Sequence, residues 1–271
     1  MAYKVLNNVS VKDVTSSDLL SLKTDLLVIV INKNTKDKVV NQLAKDVSSH
    51  LKESGSSVLV PNAKSFNAKN VLLVKGFQDS DQIHKLISMY QSIAQKGNQL
   101  KAKDISIMPG TVYPKGKCEM WLIEMVAKTI ESNVYIFSET CNKTAKKPSV
   151  KKLNILVSSL TKSDLIKAKN AAKKGYAIGE GVNSAKYLGD LPANHCTPRI
   201  IEKKVKAMTK DFPKLKVKSF NENQMKKMGM GSFLSVSRGS EEPARMMVIE
   251  YKGGKSSEKP VALVGKGVTF D

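Results

Sequence analysis

Asp25-Leu-Leu-Val-Ile-Val-Ile-Asn32 is an unbroken apolar run, mostly β-branched, closed at both ends by polar residues. A strand with one wet face alternates polar and apolar side chains. A run without alternation needs cover on both faces, as strands have in layered domains with a parallel sheet. It is also far shorter than the roughly 20 residues that cross a bilayer. The surrounding sequence supplies the covering layers. Helical spacing runs from Asp37 to Leu51, over Ser80–Gln95 and around Glu119–Ser132. Strand-like segments lie at Ser57–Val60, Val71–Val74, Ile105–Met108, Val134–Phe137 and Leu153–Val157. Strands separated by helical crossovers predict an α/β fold with a mostly parallel sheet.

From Thr161 the pattern becomes one long helix to about Gly189, with Ser163 as the cap and Leu165, Ile166, Ala168, Ala172 and Tyr176 near helical spacing. Gly175, Gly179 and Gly181 interrupt it, each at a cost of about 1 kcal/mol against alanine, which points to close packing. A new unit opens after Asp190. Thr197-Pro198 sets an N-cap before a proline at the first helical position, for a helix reaching about Lys210. Lys214–Phe220 alternates as a half-buried strand does, and Asn221 caps a short helix that ends near Gly229. Arg245–Tyr251 and Pro260–Val264 read as two buried strands around the turn-rich Lys252–Glu258.

Composition excludes several classes. The N-terminus lacks the basic and apolar segments of a secretory signal, and Cys118, Cys141 and Cys196 form no CxxC pair, so a reducing cytoplasm is expected. His50, His84 and His195 are too scattered for a histidine zinc site. The net charge of +21 invites a nucleic-acid reading. Arg199, Arg238 and Arg245 are its only arginines, however, and the lysines are spread as solvated faces are. Gly229-Met-Gly231 lacks the third glycine of a dinucleotide fingerprint, and Gly265-Lys266 lacks both the first glycine and the hydroxyl of a P-loop.

Lys266 and Asp271 follow the last expected strand, at the edge where open α/β sheets form their ligand crevices. On residue chemistry alone they read as a surface ion pair. Their setting adds more. Val264-Gly-Lys-Gly-Val-Thr-Phe-Asp271 resembles a motif of the leucyl aminopeptidase, or cytosol aminopeptidase, family. So do Asn183-Ser-Ala-Lys-Tyr-Leu-Gly-Asp-Leu-Pro-Ala-Asn194 with Thr197-Pro198, Met228–Ser240 with Glu241-Glu-Pro243, and Ile249–Gly254. These blocks stand in family order.

The resemblance implies a macro-like α/β domain over residues 1–160, a linker helix over 161–190, and the N-terminal portion of an α/β zinc-peptidase catalytic domain over 191–271. It implies hydrolysis of the N-terminal residue from peptide substrates by two divalent ions, Mn2+ or Zn2+, in a cytoplasmic homo-hexamer, with no membrane partner. Metal coordination acidifies a shared water and polarises the scissile carbonyl. By position, Lys266 matches a metal-ligating lysine and Asp271 a bridging carboxylate. A lysine ligates only as the neutral amine, so metal must displace its proton. The family's other ligands, and its catalytic lysine and arginine, fall beyond residue 271. The expectation is therefore an inactive 271-residue chain with a marginal 191–271 segment. A non-catalytic basic protein contacting nucleic acid or a nucleotide-like ligand is the competing reading.

Overall fold

The computed structural model describes residues 3–32, 41, 45, 51–77, 83–111, 113–142, 146–255 and 257–269. The chain divides into two compact units, Tyr3–Asn183 and Ser184–Asp271.

In the first unit, strands β1 (Asn8–Asp13), β2 (Thr24–Ile31), β3 (Ser57–Pro61), β4 (Ala68–Lys75), β5 (Asp104–Met108) and β6 (Lys152–Val157) form one sheet in the order β1-β6-β5-β2-β4-β3. Every neighbouring pair is parallel except β3 with β4. The apolar run occupies β2, between β5 and β4, and Leu26, Leu27, Val28 and Ile29 are fully buried. Strand periodicity divides these side chains between two cores. Leu26, Val28 and Val30 join Leu72, Ile105, Ile107, Ile123 and Ile130 on one face. Leu27 and Ile29 join Leu19, Phe66, Val71 and Leu73 on the other. Full cover on both faces is why the strand has no polar position from Leu26 to Ile31.

Helix α1 (Ser16–Ser21) is closed by a capping box between Thr15 and Asp18, while α2 (Ile83–Gln99) and α3 (Glu119–Val134) lie against the first core. The expected helix over 37–51 falls mostly outside the described residues, of which Asn41 and Lys45 are helical. Two sequence expectations need correction. Val134–Phe137 is not a strand: α3 runs on to Val134, whose side chain is fully buried, and the sheet position beside β5 belongs to β6. In addition, β1 went unread because Asn8-Val-Ser-Val-Lys-Asp13 lies at the sheet edge, where its polar residues remain wet.

Helix α4 (Lys162–Asp190) is capped by Thr161, whose hydroxyl accepts from the Asp164 amide, rather than by Ser163. The glycines of α4 differ in what surrounds them. A Cβ on Gly175 would sit 2.0 Å from the Glu124 carbonyl oxygen, and one on Gly179 would sit 2.7 Å from Glu131 Cβ. These two glycines let α4 approach α3 at backbone distance. Gly181 faces open space and has no such role.

The second unit holds a 3-10 turn at Ala193–His195, helices α5 (Pro198–Asp211), α6 (Glu222–Lys227) and α7 (Gly231–Ser237), and the antiparallel strands β7 (Leu215–Phe220) and β8 (Met246–Tyr251). Thr197 caps α5, Asn221 and Gln224 form a reciprocal capping box on α6, and Gly229 takes the left-handed conformation at φ 72°. Glu202 on α5 accepts from Arg245 at 2.7 Å, tying the helix to the residue just before β8, and also pairs with Lys206. The Lys206 ammonium and the Arg245 guanidinium hold the Glu202 carboxyl down at about 2.

The expected strand Pro260–Val264 does not form, and Val261, Leu263 and Val264 are 88–98% exposed. Strand β8 does form, yet Val248, Ile249 and Tyr251 are exposed, not buried. An apolar run becomes a buried strand only with a ladder partner and a covering layer. Among the described residues β7 and β8 pair only with each other, so the segment after them has neither.

Two outcomes follow from this packing. Gly175→Ala is expected to destabilise by about 1–3 kcal/mol, because the steric clash exceeds the helix-propensity gain of about 1 kcal/mol. Gly181→Ala should hold or raise the thermal midpoint, so paired melting curves that moved together would contradict the close-approach account. Separately, Glu202 has a depressed carboxyl, so its stabilising contribution is present above pH 4.5 and declines as pH falls toward 2. Acid titration of the chain and of Glu202→Gln, followed by circular dichroism, should show the wild-type advantage shrinking across that window.

Candidate metal centre

Residues 260–269 continue from the turn after β8 with no helix and no ladder. Gly265 and Gly267 flank Lys266, and a Cβ on either would meet nothing within 4 Å. The Lys266 side chain is exposed and makes no ion pair among the described residues. Asp271, the second expected ligand, lies outside the described residues together with Phe270. No group of three or more His, Cys, Asp or Glu side chains able to hold a metal ion occurs among the described residues.

Lys266 and Asp271 suit a divalent ion in kind, as one amine and one carboxylate, but not in number. A zinc ion takes about four donors, and manganese takes more. These two residues alone do not complete a site for either ion, and no catalytic step follows from them.

The rest of the chain contains features that bear on other chemistry. Two of the three arginines are tied to carboxylates: Arg199 makes a two-pronged pair with Glu242, with bonds of 3.1 and 3.0 Å, and Arg245 pairs with Glu202. Neither is held ready for a phosphate. At the carboxyl edge of the large sheet, Asn32 bridges the loops after β4 and β5. It donates to the Phe77 carbonyl at 2.9 Å and accepts from the Thr111 amide at 3.1 Å. A Cβ on Gly76 or Gly110 would collide with the Asn32 side chain, at 2.4 and 2.2 Å. Where open α/β sheets receive ligands, this sheet carries its own carboxamide.

Residues 183–271 match the model for the cytosol aminopeptidase family, catalytic domain. A Pseudomonas fluorescens protein described as "Probable cytosol aminopeptidase" is 33% identical over 266 residues, covering 93% of this chain and 52% of its own length. Through these residues the chain is similar to the cytosol aminopeptidase family. It spans about half the length of the curated relatives it matches. A mutant of tomato leucine aminopeptidase shares the fold with a TM-score of 0.77 and 22% identity, over 97% of this chain and 54% of the other. A bottromycin maturation enzyme solved in complex with Mn gives a TM-score of 0.64 at 16% identity, over 83% of this chain and 45% of the other. The α/β architecture is thus the fold of a leucine aminopeptidase.

Sequence reasoning missed one polar cluster. Glu131 is fully buried on α3, where its side chain meets the amides of Val5 and Leu6 and the carboxamide of Asn183, the first residue of the family-matched segment. The signal was present: Glu131 stands between Ile130 and Val134 on a helix face otherwise made of Ala127, Ile130 and Val134.

Proposed function

We propose that this chain serves a metal-dependent, leucyl-type aminopeptidase that releases N-terminal residues from peptides, with Lys266 and Asp271 as two ligands of a two-ion site. The observation that supports this most strongly is the match of residues 183–271 to the family's catalytic domain, in which both residues stand. The Mn complex of the bottromycin maturation enzyme supports a divalent ion such as manganese, with zinc as the alternative. When bound, such ions supply an acidified water and a polarised carbonyl. The chain's own contribution would be one neutral amine and one carboxylate, from Lys266 and Asp271, near each other in sequence. Two donors are fewer than either ion takes, so the site needs further ligands beside them. The same reading assigns the activity to the cytosol and to a homo-hexamer. Among the described residues no helix is long and apolar enough to cross a membrane.

The experiment uses a fusion of residues 1–271 to the remaining half of the Pseudomonas fluorescens relative. It is expected to release leucine from leucyl-amide substrates only with added Mn2+ or Zn2+. Asp271→Asn and Lys266→Ala should each lower kcat/KM on the order of 100-fold or more, since each removes a metal ligand. A correctly folded fusion that stays inactive with either ion, beside an active parent relative, would refute the proposal. The 271-residue chain by itself is expected to show no turnover above the metal-only blank. Sustained turnover there would overturn the donor count.

A further inference from the structure

The Glu131 cluster has no part in the proposed peptidase chemistry, and its hydrogen bonds are distributed unevenly over the two carboxylate oxygens. Oε1 accepts from the Val5 amide at 2.8 Å and from the Asn183 carboxamide at 2.9 Å. Oε2 accepts from one donor, the Leu6 amide, at 2.9 Å. The Asn183 carboxamide also donates to the Glu131 backbone carbonyl at 3.0 Å, which fixes its orientation. Leu6 is gripped a second time, because the Tyr176 hydroxyl donates to its carbonyl at 2.7 Å. The segment held in this way leads into β1, one of the two edge strands of the large sheet.

A fully buried carboxylate facing only donors is satisfied when ionised. When protonated it becomes a donor itself and loses one acceptor position. The proton goes to the oxygen with fewer partners. Oε1 keeps Val5 and Asn183 as the carbonyl oxygen of the neutral acid, while Oε2, now a hydroxyl, weakens its bond from the Leu6 amide.

We propose that Glu131 is a proton-operated latch on the N-terminal segment, clasping the Leu6 amide when ionised and loosening it when neutral. Tyr176 keeps the Leu6 carbonyl tethered in both states, so the segment loosens without leaving. The titratable groups around the site are Tyr176 and Glu180 on α4 and Tyr3 and Lys4 on the segment itself. Of these, the charge acting on Glu131 is that of Glu180, which opposes ionisation. Burial is the larger influence, and against the pull of the three donors it pushes the Glu131 carboxyl up to about 7. The latch is therefore open below neutrality and closed above it. With the folded carboxyl raised, ionisation costs stability as pH climbs from about 4.5 to about 7, so clasping Leu6 comes at a net expense to the fold.

The test is a titration of the full 271-residue chain from pH 5 to 9, following the backbone amides of Val5 and Leu6 by heteronuclear NMR. The Leu6 resonance is expected to move upfield as pH falls through a midpoint near neutrality, further than that of Val5. Leu6 exchange protection, corrected for the intrinsic pH dependence, should drop roughly tenfold as the charge-assisted bond is lost. Glu131→Gln should abolish the transition. If that variant does not fold, Tyr176→Phe serves in its place, keeping the midpoint while deepening the loss of protection at low pH. PH-invariant Leu6 signals over the whole range, or an unchanged transition in Glu131→Gln, would overturn the latch.

Discussion

The double cover of β2 is the constraint on which the first unit depends. Its run of apolar side chains sends Leu26 and Val28 into one core and Leu27 and Ile29 into another, so both faces of the sheet must be roofed. Burial of this kind is the main favourable contribution to folding, at about 25 cal/mol per Å² of apolar surface. The roof over the first core includes α3 and α4, and α4 reaches α3 at backbone distance only because Gly175 and Gly179 lack side chains. That approach brings Glu131 against Asn183 and the N-terminal segment. One strand's hydrophobicity thus leads, through helix packing, to the buried polar cluster.

The second unit obeys a different balance. Its helices are set by local signals, with side-chain caps at Thr197 and Asn221, and α5 is joined to the start of β8 through Glu202 and Arg245. Its two-stranded sheet leaves Val248, Ile249 and Tyr251 exposed, and the apolar residues after it are more exposed still. In the proposed function, Lys266 and Asp271 would supply one amine and one carboxylate to a metal site. Divalent ions take about four donors or more, so these two residues would need further ligands beside them.

Much of the architecture was legible in the residues because strand and helix periods differ. The strands β2, β4, β5 and β6, the helices α2, α3 and α4, and the caps at Thr197 and Asn221 all stand close to their expected positions. The failures share one cause, which is that a strand is a relation between segments. Val134–Phe137 and Pro260–Val264 have strand-like composition but no ladder, whereas Asn8–Asp13 has weak composition and gains one from β6. Lys266 and Asp271 were named from a motif, not from geometry. Lys266 is exposed and Asp271 lies outside the described residues, so their pairing on a metal remains part of the proposal.

The sequence by itself determined the α/β class, the helix boundaries set by short-range caps, and kinship with the cytosol aminopeptidases, since all three are written in residues near one another along the chain. Tertiary structure alone decided which apolar runs became strands, which glycines were needed for close approach, and where a buried carboxylate meets the Leu6 amide. Those outcomes depend on distant partners, as in the bond from Val5 to Glu131 across 126 residues. Neither hydrogen-bond ladders nor the desolvation of a charge can be read from a segment alone, because both are set by what the rest of the fold places beside it.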